Sequence, residues 1–524
     1  MPLPLPRTTP LRLGAGSGVL LAAATAPGPA GPLAFVALAP FLIAALRAGS
    51  VRGGAAAGAA CGLVFYGVGF AWGPLEMGGR LLWAAYLIGV PLLAASLAAL
   101  GAGLAALALR GRSGLALAAT PAAWLALETG RASGSLGIPL LRLGDALGAW
   151  PSLAQPAALG GVALLGAWIA GVNAALALGV LQPQRRAAAL ALLALLALPA
   201  PIGALRLARA ADAAKAGGGL RVAAVQPDVP ARERWVPARF DTNLERLLAL
   251  SRAALPARPE LVVWPESAFE STGFADGHPF LGAIANQLGA PLLAGLRRPV
   301  PGGPPGARWN SAALALPGGT TRVAGDKVRP VPVYERAPES PLARRLAAAG
   351  WWPGRVLPAR AAGLVEVPRE DGAPVRVGVL LCIDAAHPEL ARELRRRGAE
   401  LLVNPANEAE PGSWVARQHA TLARLRAIET GLPLVRVANT GPSAWSDGLG
   451  RLHASIAPQE RAVHVAEVAV PLVPTLWVRW GATPVWLAVL APIAAALAAS
   501  RGAAAISHSS VGHALHPLRG GERA

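Results

Sequence analysis

Lysine is almost absent from this chain. Of 48 basic residues in 524, only Lys215 and Lys327 are lysines; the rest are arginine. Arginine cannot imitate a compact ammonium with an adjustable pKa, so a lysine kept at 327 against that drift draws attention. Cysteine is equally scarce. Cys61 sits inside an apolar run and Cys382 lies far away in the polar half, which excludes a disulfide scaffold. Charged residues make up only 15% and the mean hydropathy is positive, against about a quarter charged in a soluble domain. Aromatics are few, at 5%, and none alternate with a basic patch. The formal charge of +19 therefore does not describe a nucleic-acid binder, which would stack bases on such rings.

What is present is length of apolar sequence. Seven stretches, about 11–27, 30–46, 53–73, 81–109, 114–130, 157–181 and 187–205, are long enough to cross a bilayer. Pro27-Gly-Pro29 leaves the first two short. The first could pass for a signal peptide, but the unbroken succession behind it favours an uncleaved helix. Arg7, Arg12, Arg47, Arg52, Arg110, Arg112, Arg185 and Arg186 all fall on one side of this arrangement. The opposite loops hold Arg80, Arg131 and Arg142, partly offset by Glu76 and Asp145. The positive-inside rule then puts the N-terminus in the cytoplasm and residues after about 208 on the far side. Gly53, Gly54, Gly58 and Gly62 permit close helix packing.

From Gly217 strands alternate with helices. Strands are predicted near 221–227, 261–266, 291–295, 311–316, 320–325, 376–382, 401–404 and 434–439, with helices at 239–254, 279–288, 388–397 and 414–430. That rhythm describes an α/β sandwich as one extramembrane domain. The expected division is a helical bundle over 1–210, an α/β domain over 217–472, a last span over 480–501 and a tail over 502–524.

Three residues of the α/β domain share one context. Glu266 follows Val-Val-Trp-Pro, Lys327 follows Arg-Val-Ala-Gly-Asp, and Cys382 follows Gly-Val-Leu-Leu. Each ends or follows a predicted strand, where open α/β sheets assemble their sites. Cys382 alone reads as packing, since cysteine is among the most buried residues. With a carboxylate to take its proton and an ammonium to favour the thiolate and steady an oxyanion, it reads as a nucleophile. No metal-ligand spacing is visible, and this chemistry calls for no metal or organic cofactor.

Pro-Glu-Ser at 265–267, Lys327 with Tyr334-Glu335, and Cys382 resemble the Glu-Lys-Cys triad of the nitrilase superfamily. The preceding bundle, the single span behind, Arg426-Ala-Ile-Glu-Thr-Gly431, and Arg436-Val-Ala-Asn-Thr-Gly441 with Asp447 and Gly450 after it resemble its membrane-embedded branch, the apolipoprotein N-acyltransferases. The resemblance implies an αββα sandwich beside a multi-pass bundle in the bacterial inner membrane, the catalytic domain periplasmic. It implies Glu266 as general base, Cys382 as nucleophile, and Lys327 with the Ile383 backbone N–H as oxyanion donors. Glu335 would position the lysine, and Trp235 would stand near the acyl substrate. The implied partners are a phospholipid acyl donor, phosphatidylethanolamine, and a diacylated prolipoprotein acceptor. Two positions depart from the family pattern: Ile383-Asp384 replaces an aromatic and a glutamate, and Asn407-Glu-Ala-Glu410 replaces Asn-Asp-x-Trp.

Other readings stay open on these residues. Trp235 serves packing as readily as substrate contact. Arg426 and Glu429, three apart on a helix, read as a structural pair. The segment 336–360, with Trp351-Trp352 among arginines, has the composition of an interfacial arm over the outer leaflet, or its tryptophans fold into the domain. The rival functions are a membrane-tethered amidohydrolase with the same triad and a non-catalytic lipoprotein-binding homologue.

Overall fold

The computed structural model describes residues 8–495 and Ala498, except 210–218, 271–278, 304–305, most of 337–354, 371, 409–411 and 471–472. Trp351 and Trp352, and most of the segment read as an interfacial arm, lie outside the described residues.

The apolar stretches form helices: α1 (Thr9–Thr25), α2 (Ala39–Leu46), α3 (Val51–Phe70), α4 (Arg80–Leu109), α5 (Ser113–Ala132), α6 (Ala157–Leu181), α7 (Arg186–Ala197) and α8 (Pro199–Arg209). Among the described residues, four runs, Val51–Met77, Arg80–Leu109, Ala157–Leu181 and Pro183–Ala208, are long and apolar enough to cross a membrane. Gly31–Leu46 and Thr483–Ala495 are shorter apolar helices. The glycines of α3 bring it against α4. A Cβ on Gly58 would stand 2.0 Å from the Leu97 carbonyl oxygen, and one on Gly54 would stand 2.4 Å from that of Gly101. Backbone-to-backbone approach replaces the hydrophobic drive that lipid does not supply.

One arginine of the bundle has local work. Arg131 donates to the carbonyls of Ile138, Leu140 and Leu141, tying the loop after α5 back onto it. Helix α6 breaks at Gly160 and Gly161, the latter at φ +70. The Val162 N–H freed there donates to Glu429 Oε1 at 2.7 Å. Glu429 also pairs with Arg426 at 2.9 Å, both fully buried, so the helical pair read from sequence joins the domain to the bundle.

The α/β domain contains two mixed sheets. In the first, β1 (Gly219–Gln226), β2 (Leu261–Val263), β3 (Leu292–Pro299), β4 (Ala307–Ala315) and β5 (Thr321–Asp326) run in that order, with a late strand, Ala462–Ala469, beyond β1. β1, β2 and β3 are parallel. The second contains β6 (Gly363–Val367), β7 (Val375–Val379), β8 (Leu401–Ala406), β9 (Leu434–Ala438), β10 (Ser443–Ser446) and β11 (Leu452–Ile456), also in spatial order. β7, β8 and β9 are parallel.

Val222, Val263 and Leu314 of the first sheet meet Val365, Val377 and Val403 of the second in a shared core. Leu247, Leu281 and Ile284 of two helices, α9 (Phe240–Ala254) and α10 (Pro279–Leu288), cover the outer face of the first sheet. Leu390, Leu394, Ala423 and Ala427 of α11 (Pro388–Arg396) and α12 (Gly412–Thr430) cover the second. This is the αββα sandwich. Its central strands are buried on both faces, which is why they lack alternation in sequence. Ile383, Ala386, Leu422, Leu425 and Ile428 pack with the helices of the bundle, seating the turn after β7 against it.

Candidate active site

Cys382 is not on the strand read from sequence. β7 ends at Val379, and Cys382 opens a short 3-10 turn, Cys382–Ala386, at φ +49. A non-glycine residue held in that left-handed region is strained, and such strain clusters at functional positions. Asn404, on the neighbouring parallel strand, fixes the approach by donating to the carbonyls of Leu380 at 2.6 Å and Cys382 at 3.1 Å. Asp384, within the turn, accepts from the backbone N–H groups of Val328 at 3.1 Å and Arg329 at 2.8 Å. One carboxylate thereby ties the cysteine turn to the lysine segment.

Glu266 lies three residues beyond β2. Trp264, fully buried, anchors that strand end through Nε1 donating to Ser251 Oγ at 2.9 Å. Gly295 of β3 leaves room for it. A Cβ there would stand 2.3 Å from the Pro265 carbonyl oxygen and 2.5 Å from Glu266 Cα. Asn407, after β8, donates to the Glu266 carbonyl at 3.1 Å.

Lys327 directly follows β5, and its side chain is 1% exposed. Its Nζ donates to Glu266 Oε1 at 2.9 Å and lies 2.8 Å from Glu335 Oε2. Asn310, from β4, donates to Glu266 Oε1 at 2.7 Å and to Glu335 Oε1 at 3.3 Å, closing a buried network. Glu335 Oε2 also accepts from the Val331 N–H at 2.7 Å.

Electrostatics follow this geometry. Burial alone would push the Lys327 ammonium's pKa down; Glu266 and Glu335 more than reverse it, holding it well above the ordinary value. Burial tends to raise the Glu335 carboxyl, yet Lys327 and the Val331 N–H bring it below its usual range. Burial, and then the charge of Glu266, raise the Cys382 thiol well above its normal range against the pull of Lys327. At rest the sulfur is protonated, so attack requires a base.

A second array faces the thiol. Cys382 Sγ donates to Glu408 Oε1 at 3.8 Å, which Arg436 Nη2 also holds at 2.6 Å and His419 Nδ1 contacts at 3.2 Å. Burial would raise the Glu408 carboxyl; Arg436 and His419 bring it down to about 2. The donor atoms of Cys382, Glu408 and His419 lie within 4.8 Å of one another, a spacing that would admit a metal ion. Arg436 already supplies the positive charge Glu408 faces there.

One cavity of about 230 Å³ joins these groups. From the α/β domain, Glu266, Lys327, Glu335, Cys382, Ile383, Glu408 and His419 line it. From the bundle, Phe70, Trp72, Met77, Leu82, Tyr86 and Leu93 line it. Trp235 is not among the lining residues. Its ring is flanked instead by the guanidinium groups of Arg234 at 4.4 Å and Arg297 at 4.7 Å, and those two arginines do reach the cavity. Sequence reading passed over Asn310, His419 and Arg436's contact with Glu408. Asn310 and His419 carry no local signal. Glu408 showed only as a departure from the family pattern.

A buried cysteine, lysine and glutamate beyond the strand ends of an αββα sandwich share a cavity with a bundle of apolar helices, the architecture of a membrane-bound enzyme. The carbon-nitrogen hydrolase family model matches residues 221–475. The α/β domain also aligns with an amidase from Nesterenkonia sp. at 19% identity and TM-score 0.35, over 48% of this chain and 91% of that one.

The bundle narrows the assignment. The model of the apolipoprotein N-acyltransferase N-terminal domain matches residues 17–175. The chain is 31% identical to the apolipoprotein N-acyltransferase of Geobacter metallireducens, over 93% of this chain and 94% of that protein. It is 34% identical to that of Azotobacter vinelandii, over 91% and 93%. The chain belongs to the apolipoprotein N-acyltransferase family of membrane-bound acyltransferases.

Proposed function

We propose that this protein moves an acyl chain from a membrane phospholipid to the α-amine of a diacylglyceryl-cysteine at a lipoprotein N-terminus, through a thioester on Cys382. The observation that carries the reading is one cavity lined both by Cys382 and by apolar side chains of the bundle helices. A water-soluble amide would not need that apolar lining. The donor is phosphatidylethanolamine through its sn-1 chain, and the α/β domain faces the periplasm. The arginines at 47, 52, 110, 112, 185 and 186 support that orientation.

In the first half, the thiol turns from Glu408 toward Glu266, which takes its proton as sulfur attacks the ester carbon. Lys327 and the Ile383 N–H, at the start of a 3-10 turn where amides lack intrahelical acceptors, stabilise the oxyanion. Glu266 then protonates the departing lysophospholipid. In the second half the acceptor amine attacks the thioester carbonyl, and the thiol is restored.

The test is mass spectrometry of a diacylated lipopeptide incubated with phosphatidylethanolamine vesicles and the full-length protein. A gain of one acyl chain on the peptide amine, lost in Cys382→Ala, is expected. Free fatty acid without N-acylated peptide would indicate the amidohydrolase reading instead. A Cys382 that never carries an acyl group would overturn both.

A further inference from the structure

The acceptor poses a problem that the three residues Glu266, Lys327 and Cys382 leave unsolved. An α-amine near neutral pH is largely an ammonium, which has no lone pair to attack with. It must shed one proton before attack and a second as the amide forms. Glu266 carries one proton per half-reaction, and Lys327 is held as an ammonium by two carboxylates. A further acceptor beside the sulfur would let the ammonium form bind and be deprotonated in place.

The array on the other side of the sulfur has the necessary groups. Glu408 Oε1 is taken by Arg436, but Glu408 Oε2 is buried with no hydrogen-bond partner among the described residues. His419 Nε2 is buried and unpartnered in the same way. Side-chain exposures are 1% for Glu408 and 9% for His419, and both residues line the cavity with Cys382. Two orphaned polar atoms beside a nucleophile call for a ligand that offers N–H groups.

The tautomer follows from the contacts. Glu408 is ionised and can only accept, so His419 Nδ1 carries the hydrogen it shares with Glu408 Oε1. In the neutral ring that leaves His419 Nε2 as a lone pair. A fixed carboxylate oxygen and a free imidazole nitrogen together hold a cation and take its proton.

Resting on the function proposed above, we infer that Glu408 and His419 dock and deprotonate the α-ammonium of the acceptor. An N–H of the ammonium bonds Glu408 Oε2, which brings the nitrogen beside the acylated sulfur, and His419 Nε2 removes one proton. The amine attacks the thioester carbon; the C–N bond forms and the C–S bond breaks. The second N–H proton reaches the departing sulfur through Glu266, and His419 releases its proton to solvent. The balance is thioester plus ammonium to amide, thiol and one proton. Glu408 and His419 have no part in the oxyanion or leaving-group chemistry of the first half.

The test separates the halves in the full-length protein with phospholipid vesicles, following acyl-Cys382 by intact mass. In Glu408→Gln, discharge by a diacylated lipopeptide falls about a hundredfold, the scale of a lost acid–base group, and acyl-enzyme accumulates. Hydroxylamine, mostly uncharged at neutral pH, discharges the same acyl-enzyme at close to the wild-type rate. His419→Gln shows the same split, and decides the matter if Arg436, deprived of its buried partner, prevents Glu408→Gln from folding. Equal slowing with both nucleophiles, or undiminished transfer to the lipopeptide, would overturn the inference. A wild-type protein that never forms acyl-Cys382 fails the proposed function instead, a visibly different result.

Discussion

Lys327 Nζ lies 2.9 Å from Glu266 Oε1, a buried ion pair built on one of the two lysines in the chain. Glu335 holds the same nitrogen from another side at 2.8 Å. A compact ammonium fits between two carboxylates at such distances. A planar guanidinium, wider and forked, does not. Lys327→Arg keeps the charge and should still slow acylation of Cys382 about a thousandfold, as expected for loss of a placed oxyanion donor. Burst formation of lysophospholipid measures it. A variant retaining a tenth of the wild-type rate would refute the need for the smaller cation.

Asn310 bridges Glu266 and Glu335 with one amide nitrogen, at 2.7 and 3.3 Å. Removing it leaves two buried carboxylates sharing only the lysine. Asn310→Ala should cost about 1–3 kcal/mol of stability and roughly tenfold in acylation rate, because Glu266 loses one of its two anchors. Thermal unfolding in detergent and the lysophospholipid burst report the two effects separately. Unchanged acylation would show that Lys327 alone orients the base.

Gly295→Ala tests the position of Glu266 without touching its chemistry. The added methyl would meet the Pro265 carbonyl at 2.3 Å, so β3 or the Glu266 segment must move. Overpacking of this kind costs about 1–3 kcal/mol, and a displaced base costs rate as well. The variant should acylate Cys382 at least about tenfold more slowly while binding phospholipid normally. Equal loss of binding would point to wider collapse of the cavity.

Asp384 supplies a pH dependence. Burial raises its carboxyl to about 7, against the pull of Lys327 and the Val328 and Arg329 N–H groups. A carboxyl raised above its unfolded value holds its proton more tightly when folded. Its contribution to stability is complete below about pH 4 and is lost as pH rises to about 7. Asp384→Asn lacks this ionisation. The stability advantage of wild type over the variant should therefore shrink by roughly 3 kcal/mol between pH 5 and pH 8. Unfolding of both proteins in detergent at the two pH values checks it; parallel curves would contradict the assignment.

Much of this protein is legible in its residues. Apolar length, glycine placement and the run of arginines describe a bundle, because lipid leaves a helix no other way to satisfy its backbone. Unalternating strands between helices describe buried parallel sheets, because both faces are covered. Glu266, Lys327 and Cys382 could be singled out because a carboxylate, a scarce lysine and a scarce cysteine, each ending or following a predicted strand, make one coherent chemistry. The strands Gly363–Val367, Ser443–Ser446, Leu452–Ile456 and Ala462–Ala469 escaped that reading, being neighbours of, or outside, the central parallel strands. Trp235, expected at the acyl substrate, stacks with two arginines beside the cavity, a contact set by side chains 62 positions apart (297 − 235).

Only the tertiary structure decided what surrounds the sulfur. Asn310, Glu408, His419 and Arg436 come from four separate segments, and their partners are chosen by how two sheets stack and where parallel strands end. A linear chain records which groups could ionise or donate. It does not record distance, and at a buried site a difference of an ångström decides which carboxylate receives a proton.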